Sequence, residues 1–254
     1  MDVKNHRILQ HSLEILEFVA KSSRPVTFKE ICDVTDLPKS TVHNLVLTLS
    51  NLDFLTKKPN YSEYSIGLKC FEVGNSYLSS NPFYSMAKET TADVSDRSNE
   101  TAHFAILNHT DVVYLYKYES KQPLRIASHV GKRIPAHATA IGKALLSGYS
   151  DEEIRGLYQN QELISLTPNT ITSLEMLLDQ IRQIRITQLA YETEESSPYI
   201  KCIATPIWNR QHATIAALSI SMPVYRGEEN MDQMAGILID AKHQLESILT
   251  TLDI

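Results

Sequence analysis

Near the N-terminus apolar residues recur at helical spacing: Leu9, Leu13, Leu16 and Ala20 fall on one face and predict an amphipathic helix that residues 22–25 end. Thr27, with Glu30 three positions on, makes a capping-box pattern and predicts a short helix over residues 28–34, Phe28 and Ile31 facing inward. Pro38 suits the first turn of a third helix, where its missing N–H costs nothing, and Val42, Leu45, Val46 and Leu49 form that helix's buried stripe. The opposite face carries Lys39, Ser40, Thr41, His43, Asn44 and Thr48, groups that hydrogen-bond phosphates and base edges. Two short helices joined by a tight turn, the second polar outward, form a helix-turn-helix pattern.

Residues 54–56 and 64–66 then read as strands flanking a polar turn, a wing whose Lys57 and Lys58 are placed to meet a DNA backbone. The plainer reading of these lysines is that they solvate an exposed hairpin. A helix over residues 68–78 follows, with Leu68, Phe71, Gly74 and Leu78 aligned, and residues 79–82 end it. This divides the chain into a winged helix-turn-helix domain at 1–67, a linker helix at 68–82 and a larger domain at 83–254.

In the larger domain a helix is expected near residues 84–97. Stretches 101–107, 112–118 and 124–130 are rich in β-branched and aromatic residues and predict an antiparallel meander. Helices over 139–146, 151–158 and 174–187 precede strands over 200–208 and 214–222, and Met234, Ile237, Leu238, Ala241, Leu245, Ile248 and Leu252 mark one face of a last helix. The fold class is α+β, helices on a mostly antiparallel sheet.

Composition narrows the function. The 254 residues, 43% apolar and 21% charged, suit a globular protein with two modest cores. Three scattered cysteines, Cys32, Cys70 and Cys202, and no apolar leader before residue 20 point to a reduced cytoplasmic setting without disulfides. No stretch approaches the roughly 18 apolar residues of a membrane span, so no membrane partner is expected. Residues 1–80 balance 9 Lys+Arg against 9 Asp+Glu, and the remainder holds 15 against 21. A neutral first domain neither demands nor excludes nucleic acid, and local patterning decides.

The chain resembles the IclR-type family of bacterial transcriptional regulators along nearly its whole length. The resemblance is carried by residues 37–43 (Leu-Pro-Lys-Ser-Thr-Val-His), 64–67 (Tyr-Ser-Ile-Gly), 131–146, 167–170 (Thr-Pro-Asn-Thr), 202–207 (Cys-Ile-Ala-Thr-Pro-Ile) and 217–221 (Ala-Leu-Ser-Ile-Ser). It implies a winged helix-turn-helix, a linker helix and a GAF-like effector-binding domain, assembled as dimers or tetramers. The expected partners are double-stranded operator DNA and a small effector, an organic or sugar acid, in a regulator that mostly represses a catabolic operon. Two departures stand out. Asn44 occupies a position often held by Arg, and Gln188 and Tyr199 stand where glycines are common.

By the same resemblance, Ala140, Ile141, Glu192, Cys202, Ser219 and Ser221 line the effector pocket. Spacing supports part of this, since Ser219 and Ser221 share one face of a strand and Cys202 lies on a neighbouring strand. Two hydroxyls together with backbone N–H groups are able to hold a small carboxylate by hydrogen bonding without a formal cation. The plain alternative is that small Ser and Cys side chains pack within a sheet. Gly142-Lys143 fails as a phosphate loop, because His137 replaces the required glycine and Ala144 the Ser/Thr, so no cofactor is expected. His137 has no metal partner at ligand spacing and reads as a turn-fixing residue, and no catalytic constellation is assembled. The chain therefore reads as a non-enzyme. The alternatives are a winged-helix protein-interaction module and a small-molecule hydrolase or lyase.

Overall fold

The computed structural model describes residues 6–58, 62–122 and 126–252, the side chain of residue 228 excepted. The chain forms two compact units, Met1–Ser80 and Asn81–Ile254.

In the first unit the helices α1 (Arg7–Lys21), α2 (Phe28–Asp33) and α3 (Lys39–Asn51) surround one core made by Ile15, Val19, Ile31, Val42, Leu45, Val46, Leu49, Leu55 and Tyr64. The capping box forms: the Glu30 N–H donates to Thr27 Oγ1, and the Thr27 N–H donates back to the Glu30 carboxylate. A small antiparallel sheet runs in the order β1-β3-β2, with β1 at Val26–Thr27, β2 at Leu55–Lys57 and β3 at Glu63–Ile66. The wing is therefore a hairpin in which Lys57 pairs with Tyr64; its tip, residues 59–61, lies outside the described residues. Gly67 joins β3 to α4 (Leu68–Ser79) against the Asp53 carbonyl, where an added Cβ would come within 2.0 Å of that oxygen.

Two expectations need correction here. α1 turns Ile15 and Val19 to the core and leaves Leu9 and Leu13 exposed, because the helix carries two apolar stripes and the three-dimensional core takes the other one. Pro38 is the N-cap of α3, with extended ψ of 139°, and not its first-turn residue; its carbonyl accepts from the Thr41 and Val42 N–H groups.

The second unit is an antiparallel six-stranded sheet in the order β6-β5-β4-β9-β8-β7, made of β4 (Thr101–Asn108), β5 (Asp111–Tyr118), β6 (Arg133–Pro135), β7 (Ala190–Thr193), β8 (Ile200–Trp208) and β9 (Thr214–Pro223). Long helices α5 (Pro82–Ser98) and α9 (Val224–Leu252) pack on each other and on one side of the sheet. α6 (Ala140–Leu146), α7 (Asp151–Tyr158) and α8 (Leu174–Thr187) build a core with Ala105, Val112, Tyr114, Ala190, Ala204 and Ala217 on the other. Small alanines on four strands, β4, β7, β8 and β9, let α6 approach closely. Gly142 of α6 sits where a Cβ would meet the Ala136 backbone at 2.2–2.7 Å. This close approach, not phosphate binding, explains that glycine.

The strand expected over residues 124–130 is absent from its described part, and β6 begins later. Lys117 Nζ donates to the carbonyls of Ile126 and Ser128, and the Gly131 N–H to the Tyr114 carbonyl, so a side chain takes the acceptors that a ladder would need. Ladder pairing with β5 resumes after Gly131, whose φ is +81°.

Candidate functional sites

On α3, burial of Val42, Leu45, Val46 and Leu49 turns Lys39, Ser40, His43 and Asn44 to solvent, with Thr41 half-buried beside them. Among the described residues, no intramolecular hydrogen bond engages these five side chains; the His43 ring rests edge-on against Phe28 at 6.1 Å. Thr48 instead bonds the Asn44 carbonyl. On the wing, Lys57 and Lys58 are exposed, and Lys58 Nζ lies 3.5 Å from the Glu63 carboxylate. The face thus presents free donors, and no acidic side chain stands on it between Lys39 and Thr48.

The second unit encloses a cavity of about 290 Å³ above the middle of its sheet. Sheet register builds its floor. Cys202 pairs with Ser221 across β8 and β9, and His103 pairs with Ser219 across β4 and β9. Ala140 and Ile141 line it from the start of α6, and Ile126, Ser128, Lys132 and residues 196–200 close its sides. Five of the six residues singled out from the sequence, Ala140, Ile141, Cys202, Ser219 and Ser221, therefore meet around one space.

Glu192 does not line that space; it stands one strand further out, opposite Cys202. Its buried Oε1 accepts the N–H groups of Glu195 and Ser196, both at 2.8 Å, and the Ser196 hydroxyl, which fixes the loop bordering the cavity. A second carboxylate at this loop, Glu195, is buried too and pairs with Lys143 Nζ at 2.8 Å; that lysine is fully buried and also donates to Gln180. Burial pushes the Glu195 carboxyl up, against the pull of Lys143.

Cys202 donates to Ser221 Oγ at 3.1 Å, and enclosure together with the nearby Glu192 charge pushes its thiol well above the ordinary range. It stays a neutral thiol and acts as a donor. His103, absent from the sequence reading, packs on Tyr114 at 4.8 Å and bonds Ser128 Oγ at 2.8 Å through Nε2. Burial first, and the Lys117 charge second, hold its pKa down to about 3, so it is a neutral hydrogen-bonding group. A single His between Ala102 and Phe104 in a strand carries no signal in sequence; only register sets it beside Ser219. His137 bonds the Ile164 carbonyl at 3.0 Å, tying the turn before α6 to the loop after α7.

Among the described residues no helix is long and apolar enough to cross a membrane. The chain matches the profile of the bacterial transcriptional regulator IclR C-terminal region over residues 75–247 and that of the IclR helix-turn-helix domain over residues 8–59. It is 32% identical to the HTH-type transcriptional regulator XynR of Escherichia coli over 213 residues, 84% of either chain. It is 31% identical to the HTH-type transcriptional repressor AllR of Salmonella typhimurium over 236 residues, 93% of this chain and 87% of that one. An IclR homologue of Microbacterium hydrocarbonoxydans, solved with 4-hydroxybenzoate, shares the fold with a TM-score of 0.84 at 22% identity, over 96% of this chain and 99% of that one.

Proposed function

The chain belongs to the IclR family of bacterial transcriptional regulators, and from that premise we propose that it is a repressor whose hold on operator DNA is set by a small organic or sugar acid bound in the cavity of its second unit. That it is a DNA-binding regulator and not an enzyme follows from the family; the acid, the repression and the residues below are our reading.

In this reading α3 lies in the major groove, with Lys39, Ser40, Thr41, His43 and Asn44 facing phosphates and base edges, and Lys57 and Lys58 of the wing follow the flanking backbone. Asn44 suits adenine, whose N6 and N7 match its amide. Domain boundaries at 67 and 82 make α4 the connecting helix. Exposed Leu68, Phe71 and Val73 on α4, a helix that buries none of its residues, support self-association as a dimer or tetramer. A dimer would address a near-palindromic site in the cytoplasm.

The observation that carries the effector reading is the convergence of Cys202, Ser219 and Ser221 with Ala140 and Ile141 on one enclosed space. The space suits a molecule with a handful of heavy atoms, and its hydroxyls and thiol supply directed donors. Binding of an acid to a relative of the same fold supports a carboxylate, and repression by a relative supports the sign. The ligand shifts the balance of DNA-competent assemblies by its differential affinity for the two arrangements.

A thermal melting screen against organic and sugar acids tests this. An acid at 100 times its dissociation constant adds roughly 2.7 kcal/mol to the unit that binds it. A shift with one acid that disappears in Ser221→Ala supports the reading; a shift that survives Ser219→Ala and Ser221→Ala together removes the effector from this cavity.

A further inference from the structure

The turn of residues 194–199 between β7 and β8 borders the cavity, and its ends are strained. Glu194 has φ of +56° and Tyr199 +65°, the left-handed region that disfavours a residue with a Cβ. The backbone is nonetheless tied at three points: the Glu194 N–H donates to the Ile200 carbonyl at 2.8 Å, the Tyr199 N–H to Glu194 Oε1 at 2.7 Å, and the Val224 N–H to the Tyr199 carbonyl at 3.1 Å.

The Tyr199 ring is treated in the opposite way. It borders the cavity yet is 77% exposed, and among the described residues no hydrogen bond holds its hydroxyl. A large ring kept in water on a pinned, strained backbone gains nothing for the fold in that position. Side-chain rotation is the freedom left to it, and the cavity that it borders offers the ring an apolar alternative to water.

We infer that Tyr199 is the gate of this cavity, its ring folding over the mouth to limit which ligands pass and to cover the one that binds. This rests on reading the cavity as the effector site, but closure itself is measurable without any ligand. Cys202 on the floor is partly accessible, and although its enclosed thiol reacts slowly, its rate compared between variants serves as the reporter.

The full-length protein is treated with N-ethylmaleimide at alkaline pH, and modification of Cys202 is followed by peptide mass spectrometry with Cys32 of the first unit as internal reference. Because the rate follows the fraction of open molecules, and the outward ring of the structure makes the open form the larger one, Tyr199→Ala should speed Cys202 modification relative to Cys32 by up to about twofold, and Tyr199→Phe should leave it at the wild-type rate. Tyr199→Gly, which suits the positive φ, repeats the comparison should the Ala variant fold poorly. Equal Cys202 rates in wild type and the ring-less variants overturn the gate, as does a Phe variant that behaves like Ala. An unchanged melting profile with every acid alongside a faster Cys202 would instead leave the gate standing and refute the acid reading.

Discussion

The recognition face of α3 and the floor of the cavity are made of similar residues held under opposite conditions. On α3, Ser40, His43 and Asn44 are exposed and, among the described residues, without internal hydrogen bonds, so water satisfies them, and in the proposed function DNA replaces that water. On the floor, His103, Ser219, Ser221 and the adjoining Glu192 are buried, and His103, Ser221 and Glu192 each lean on a neighbour. The first surface is free to change without consequence for folding. In the second, recognition and stability share the same hydrogen bonds, and Glu192 Oε2 and His103 Nδ1 are left without partners even so.

The contrast breaks most visibly at Lys143. Lys143→Ala strands the buried Glu195 carboxylate and should lower the stability of the second unit by about 3–5 kcal/mol in urea unfolding. A loss below about 1 kcal/mol would mean that the pair is not what holds this loop. On the other surface, Lys39→Ala combined with Asn44→Ala should weaken binding to DNA fragments that the wild type selects from a random pool by roughly a hundredfold, at about 1–3 kcal/mol per contact. Melting of the first unit should stay put, within about 0.5 kcal/mol. Unchanged retention would remove α3 as the reading helix.

Acid sharpens the comparison further. Folded His103 resists protonation down to about 3, whereas in the unfolded chain it takes a proton near about 6.5. Between those values the unfolded state binds more protons, so stability is retained above the upper one and lost as pH falls through the window, by up to about 1.4 kcal/mol per pH unit. His137, lowered mainly by burial, adds in the same direction. His103→Gln should flatten the slope of unfolding free energy between pH 6.5 and 4.5; an unaltered slope would place the proton uptake elsewhere. The smallest effect is expected at Gln188, which ends α8 at φ of +60°: Gln188→Gly should raise the stability of the second unit by about 1 kcal/mol, and a decrease would show that its side chain earns its place.

Much of the fold was legible because it rests on local chemistry. The Thr27–Glu30 capping box, the buried stripe of α3, the bounds of α7 and α8, and the shared side of Ser219 and Ser221 on β9 each follow from residues near one another in the chain. The pairing of Cys202 with Ser221 could be approached through resemblance and strand parity. His103, Tyr114 and Lys132 could not, since nothing in their neighbours marks them out and three different strands or loops bring them to the cavity.

The amino-acid sequence by itself thus determined the helices and the longer strands of both units, which face of α3 is polar, and which serines share a side of the sheet, because period and capping act over a few residues. Tertiary structure alone decided which apolar stripe of α1 is buried and that the backbone after Lys117 is held by a lysine and not by a ladder. It also decided the existence of β1 and β7, two and four residues long, too short to carry a period and formed only by pairing with β3 and β8. Those choices depend on contacts between residues distant in the chain, whose energies exist only once the core and the sheet register have brought them together.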